Sequence, residues 1–237
     1  MLKSRFLFLL LIVCLPLPAL SKVFSWKDLL DKVDRSITSH QKKYQFWHKQ
    51  SLQTHMTRGM AVQCEMKYGF ASQGWGLFYK HYQGRIIQRL PLLTLGLGYR
   101  YVDQLYQNVA EKKWQNRHIP LADVTVTLGG RICSLQNRCR LLYQIRSKDH
   151  MQMIYCNRTR VTLPWVIPAL RWPIYLFDEL FIGKDRKVHE NRCGAGIICS
   201  LGRHIQIHLA YQYRMEKQLN EEWDRCNLFS LYMYSSF

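Results

Sequence analysis

Residues 93–101 place Leu93, Leu95, Leu97, Tyr99 and Tyr101 in one parity and Thr94, Gly96, Gly98 and Arg100 in the other. A helix would scatter those two sets around its surface, whereas an extended strand puts them on opposite faces. The same logic recurs over residues 205–214, where Ile205, Ile207, Leu209, Tyr211 and Tyr213 alternate with Gln206, His208, Ala210, Gln212 and Arg214. Val124, Val126 and Leu128 alternate with Thr125, Thr127 and Gly129, and Leu141, Tyr143 and Ile145 alternate with Arg140, Leu142, Gln144 and Arg146. Weaker segments at 44–55, 60–70, 75–87, 156–163, 170–181, 192–201 and 227–237 bring the count to eleven.

Residues 1–21 carry Lys3 and Arg5 ahead of an apolar run, then two prolines and Ala19-Leu20-Ser21 before Lys22. That order predicts a secretory signal peptide, because the run is shorter than the roughly 20 apolar residues of a membrane helix. Elsewhere no stretch is apolar enough for a spanning helix, so a membrane span must be built from strands. Hydrocarbon leaves no backbone donor or acceptor unpaired, which restricts such strands to a closed barrel. The expected fold is all-β: a closed antiparallel transmembrane β-barrel of 10 to 12 strands over residues 44–237, with even numbers favoured. Residues 22–43 are expected to form a short helical segment, since Leu29, Leu30 and Val33 share a helical face behind Ser25 as N-cap, with a further strand as the alternative reading of the same short apolar pattern. Arg58-Gly59, Ser72-Gln73-Gly74, Gln136-Asn137, Gly183-Lys184-Asp185 and Gly202-Arg203 read as turns. Pro168 and Pro173 predict a bulge or an early strand start around residue 170.

The formal charge is +18, and removal of Lys3 and Arg5 with the signal leaves +16. For an exported chain this basic balance points to lipopolysaccharide and outer-membrane lipid as partners; no motif supports nucleic acid. Seven of the eight cysteines lie beyond the signal. Cys133 and Cys139 flank an apparent hairpin and are candidates for a disulfide, with buried small hydrophobes as the alternative. There is no Cys-x-x-Cys and the histidines are scattered, so neither a metal nor a cofactor is expected. Trp47, Trp75, Trp114, Trp165 and Trp172 fall near strand ends, where interfacial girdles form.

Phe229, Leu231, Met233 and Phe237 share one parity, interrupted by Ser235. A terminal aromatic residue behind alternating apolar ones resembles the mark by which barrel-assembly machinery recognises outer-membrane clients, with Phe237 in that role. From about residue 83 onward the chain also resembles a bacterial family catalogued as domain of unknown function 2490, whose members look like outer-membrane barrels. The landmarks are Leu95-Gly96-Leu97-Gly98-Tyr99, the pairs Arg138 with Arg140 and Arg158 with Arg160, residues 175–181, residues 192–196, and Tyr211-Gln212. The resemblance implies a bacterial outer-membrane location and brings no activity with it.

With the apolar parity facing lipid, Arg100, Arg131, Arg140, Arg146, Arg158, Arg160, Arg192 and Arg214 are expected inside, with Glu179 as counter-ion. One reading is a narrow, arginine-lined lumen that interacts with anions, since guanidinium forks bind carboxylate and phosphate. The alternative is a plug in which inward arginines satisfy acids and carbonyls. A third reading is a lipid-active enzyme with Ser230 and His208 on adjacent strands and Asp178 or Glu179 behind them. A structural or adhesive barrel is the fourth, and a soluble sandwich shares the alternation.

Overall fold

The computed structural model describes residues 43–71, 76–107, 112–130, 133–147, 150–164, 172–183, 187–217 and 223–237. The signal segment, the expected N-terminal helix, Arg131, Trp75 and Trp165 lie outside these residues.

Every element among the described residues is a strand, and all eleven alternating segments form one. In chain order they are β1 (Lys43–His55), β2 (Met60–Ala71), β3 (Gly76–Arg89), β4 (Leu93–Gln107), β5 (Lys112–Gly129) and β6 (Ser134–Ser147). The series continues with β7 (His150–Leu163), β8 (Ile174–Ile182), β9 (Val188–Leu201), β10 (Ile205–Lys217) and β11 (Trp223–Ser236). Each pairs antiparallel with its sequence neighbour, and β1 pairs with β11 to close the barrel. An up-and-down chain with an odd number of strands brings its first and last strands back in the same direction. The closing pair is therefore parallel, from Lys43 opposite Cys226 to Gln53 opposite Ser236. The favoured even count and the purely antiparallel sheet are corrected by this seam.

The strands hold 9 to 18 residues. At roughly 3.3 Å per residue, the shortest, β8, is about 30 Å long. A tilt of about 40° gives it a height near the ~25 Å apolar band of outer-membrane barrels.

Local irregularities follow from sequence. β8 begins just after Pro173, whose carbonyl accepts from Ile198 N at 2.9 Å. The strand thus starts four residues later than the expected segment at 170–181, in keeping with a proline that has no N–H to give to the ladder, and Pro168 lies outside the described residues. The register between β2 and β3 shifts at Gly69/Phe70, which leaves Phe78 unmatched. Both Phe78 and its neighbour Tyr79 consequently line the interior, the re-aiming that a bulge produces.

One expected hairpin is overturned. Gln136 and Asn137 lie within β6, and the chain reverses before Cys133. Cys133 and Cys139 are thus six residues apart along one extended run, roughly 20 Å, beyond disulfide reach. All seven described cysteines are free thiols.

The polarity of the two faces is inverted relative to a water-soluble barrel. Leu97 is 68 % exposed, and Leu95, Leu128, Leu141, Leu176 and Leu209 also face outward. Buried on the inner face are Gln83, Asp123, Arg140, Glu179, Glu190, His208 and Gln212. Apolar side chains fill only parts of the interior: Trp47, Phe78, Cys226 and Leu228 form one cluster, and Val102, Ile119, Leu121 and Leu142 another. Trp47, 5 % exposed, belongs to this interior and to no girdle; Trp114 is exposed.

Candidate functional site

The inner face encloses a cavity of about 1010 Å³. Among the described residues lining it, fourteen are Lys or Arg and five are Asp or Glu. That imbalance means that carboxylates alone do not neutralise the wall.

The acids sit where two strands present cations to them. Asp123 on β5 accepts from Arg85 Nη1 at 2.7 Å and from Arg140 Nη2 at 3.2 Å. Gly96, opposite Asp123 on β4, supplies the space, since a Cβ there would lie 2.7 Å from the Asp123 Oδ1. Glu190 on β9 accepts from Arg192 Nε at 2.5 Å and Arg214 Nε at 2.6 Å, and Arg214 also reaches Glu216. Glu179 on β8 accepts from Arg138 Nη2 at 3.0 Å. Glu65 on β2 accepts from Lys49 Nζ at 3.3 Å and meets His81 Nε2 at 3.0 Å. Charge-assisted bonds of this kind are the strong ones, and here they hold long side chains against the wall.

A second set of cations rests on aromatic rings. The Arg160 guanidinium lies 4.2 Å from the Tyr175 ring centre and its Nε donates to Thr162 Oγ1 at 3.2 Å. Arg158 lies 4.5 Å from the Phe177 ring, and Lys67 Nζ is 3.9 Å from the Trp47 ring. Residues 175–181 of β8 thus form an inward ladder of Tyr175, Phe177, Glu179 and Phe181, the last carrying Arg192 at 4.7 Å. Tyr175 and Phe177 lie over Gly196 and Gly194 of β9, their register partners, where any side chain would collide with the rings.

Arg100, Arg140, Arg158, Arg160, Arg192, Arg214 and Glu179 all line the cavity. Arg100 is held by Gln83, whose Oε1 accepts from Nε at 3.0 Å and Nη2 at 2.8 Å. Arg146 belongs to β6 by its backbone, and its side chain lies outside the described residues, as does Arg131. Arg85, Arg138, Lys49 and Lys67 are inward cations absent from the sequence-based set. Arg138 shares the parity of Arg140 and was hidden by the false hairpin. Arg85 alternates with Gly84 and Ile86, and the glycine blurs the pattern.

Ser230 and His208 both face inward, two positions apart in the pairing, with Ser230 opposite Ala210. The Ser230 hydroxyl accepts from Gln212 Nε2 at 2.7 Å. His208 packs between the Tyr175 and Tyr234 rings, with centroids 5.7 and 4.6 Å away, and its buried Nε2 has no hydrogen-bond partner. No described contact joins the serine to the histidine. Asp178 lies on the outer face, in the parity of Leu176. Phe237 N donates to Gln53 O at 3.0 Å, and its ring stacks on His204 at 5.3 Å. Among the described residues no group of histidine, cysteine and acidic side chains could hold a metal ion, and no helix is long and apolar enough to cross a membrane.

Comparison with the curated proteins and with the solved structures gives no match. A family model described as a protein of unknown function (DUF2490) matches residues 44–225, which span β1 to the start of β11, and the chain belongs to that family.

Proposed function

We propose that the protein is exported by its N-terminal signal, is inserted in a bacterial outer membrane by barrel-assembly machinery that reads Phe237, and there surrounds a narrow lumen that interacts with anions. The observation that carries this reading is the inverted polarity of the wall. Leucines and other large apolar side chains stand exposed around the outside, while the cavity lining holds a surplus of cations. A water-soluble barrel gains stability by the opposite arrangement, because apolar area removed from water contributes roughly 25 cal/mol per Å². In a bilayer the same outer leucines are solvated by acyl chains, and inward charge is served by water and ligands. Lipopolysaccharide and anionic headgroups are the partners this charge favours at the rims.

Reconstitution in planar bilayers tests the reading. The expected result is conductance that passes chloride in preference to potassium, with the preference reduced when Arg158 and Arg160 are both replaced by glutamine. Absence of conductance, or preference for potassium, contradicts it.

A further inference from the structure

The inward cations divide by what holds them. Arg85, Arg138, Arg140, Arg192 and Arg214 are held by Asp123, Glu179 and Glu190, whose charges they share. Among the described residues Arg158 and Arg160 make no ion pair within 4 Å, and they rest on Phe177 and Tyr175. An aromatic face steadies a guanidinium without a formal negative charge, and the donors, which point from the edge of the plane, stay available.

These two arginines are neighbours on the same face of β7, two residues and so about 7 Å apart. Arg158 stands opposite Glu179, but that carboxylate is engaged by Arg138 at 3.0 Å, and the buried Arg158 Nε has no partner. Tyr175 carries Arg160 on the ring that also meets His208, because Gly196 between them lets the phenol lie flat across β9. His208 is 5 % exposed, lines the cavity, and keeps Nε2 without a hydrogen-bond partner. One stretch of wall therefore combines two guanidinium groups that lie beyond ion-pair distance of the described carboxylates, Arg158 facing the shared Glu179 across the β7–β8 pair, with an imidazole nitrogen that has no hydrogen-bond partner. Buried polar atoms in folded proteins are nearly always paired, so His208 Nε2 and Arg158 Nε are places where the wall holds hydrogen-bonding capacity that the described side chains do not use.

We propose that Arg158, Arg160 and His208 form a subsite for a phosphate group. A carboxylate brings one charge and two oxygens, which a single arginine fork satisfies. A phosphate monoester brings between one and two charges and three terminal oxygens, matching two guanidinium groups with a donor to spare. The inference deepens the anion-interacting reading of the lumen and rests on it for access from solution.

The test is titration of the refolded full chain in detergent with inorganic phosphate, followed by calorimetry and compared with acetate. Saturable phosphate binding, tighter than acetate binding, is expected. It should weaken about tenfold or more in Arg160→Gln and in Arg158→Gln and stay unchanged in Arg225→Gln, an exposed arginine away from the cavity. Arg160→Lys, which keeps the charge and loses the fork, should fall between wild type and Arg160→Gln even if a glutamine variant fails to fold. Competition by short-chain phosphatidic acid assigns the ligand to lipid headgroups, and its absence assigns it to free phosphate or small phosphorylated molecules; either supports the phosphate class. Phosphate binding no tighter than acetate, or equal binding by the Arg160 variants and wild type, overturns the subsite. Anion-selective conductance without saturable phosphate binding removes the subsite and keeps the lumen. Phosphate binding lost in Arg160→Gln without any conductance keeps the subsite and removes the open lumen.

Discussion

Asp123 is 5 % exposed, and both arginines that reach it come from strands other than its own. Replacing it by asparagine preserves its shape and strands two inward guanidinium groups without their carboxylate. Removing one partner of a buried pair costs several kcal/mol, because the remaining charge keeps its desolvation penalty. Asp123→Asn should therefore lower stability by about 3 kcal/mol in urea unfolding from lipid vesicles, whereas Asp178→Asn on the outer face should change it by less than about 0.5 kcal/mol. Equal midpoints for the two variants would show that the interior acid has no structural role. Gly196 makes a complementary case. A Cβ there would lie 2.6 Å from the Leu209 carbonyl oxygen and 2.6 Å from the Tyr175 hydroxyl, and the carbonyl is backbone that cannot swing aside. Gly196→Ala should cost about 1 to 3 kcal/mol by the same assay, and a neutral result would contradict the flat placement of Tyr175.

At the scale of elements, the parallel seam between β1 and β11 distinguishes this barrel from even-stranded ones. Its register puts Gln50 opposite Met233. In a background stripped of native cysteines, Gln50→Cys with Met233→Cys should oxidise to a cross-link, while Gln50→Cys with Tyr232→Cys should not, since a one-residue slip puts the partners on opposite faces. The reverse pattern would refute the seam. The eleven strands were legible in the sequence because apolar and polar residues alternate along each. The seam was not, because closure depends on strand count and direction and no local residue records it. Gln136-Asn137 misled for a physical reason: an Asn-containing pair suits a turn, yet the tertiary ladder held it in β6, with Asn137 Nδ2 donating to Thr159 Oγ1 at 2.9 Å. The interior arginines of strongly alternating strands were legible by parity. Glu65 and Asp123 were not, because an acid's partners are set by pairing across strands far apart in sequence.

At the scale of the whole molecule, one asymmetry underlies each functional statement: large apolar side chains outside, an excess of cations within. The wall need not carry a single chemistry. Apolar clusters around Trp47 and around Val102, both packed against Tyr79, share the interior with the charged side chains. Spin labels placed singly at Leu97, Leu176 and Leu209 and at Thr125, Gln144 and Gln212 in vesicle-reconstituted protein test this asymmetry directly. The first set should be reached by oxygen dissolved in the bilayer and shielded from a water-soluble nickel chelate, and the second set should show the reverse preference. Equal access of the chelate to both sets would contradict a lipid-facing outer surface.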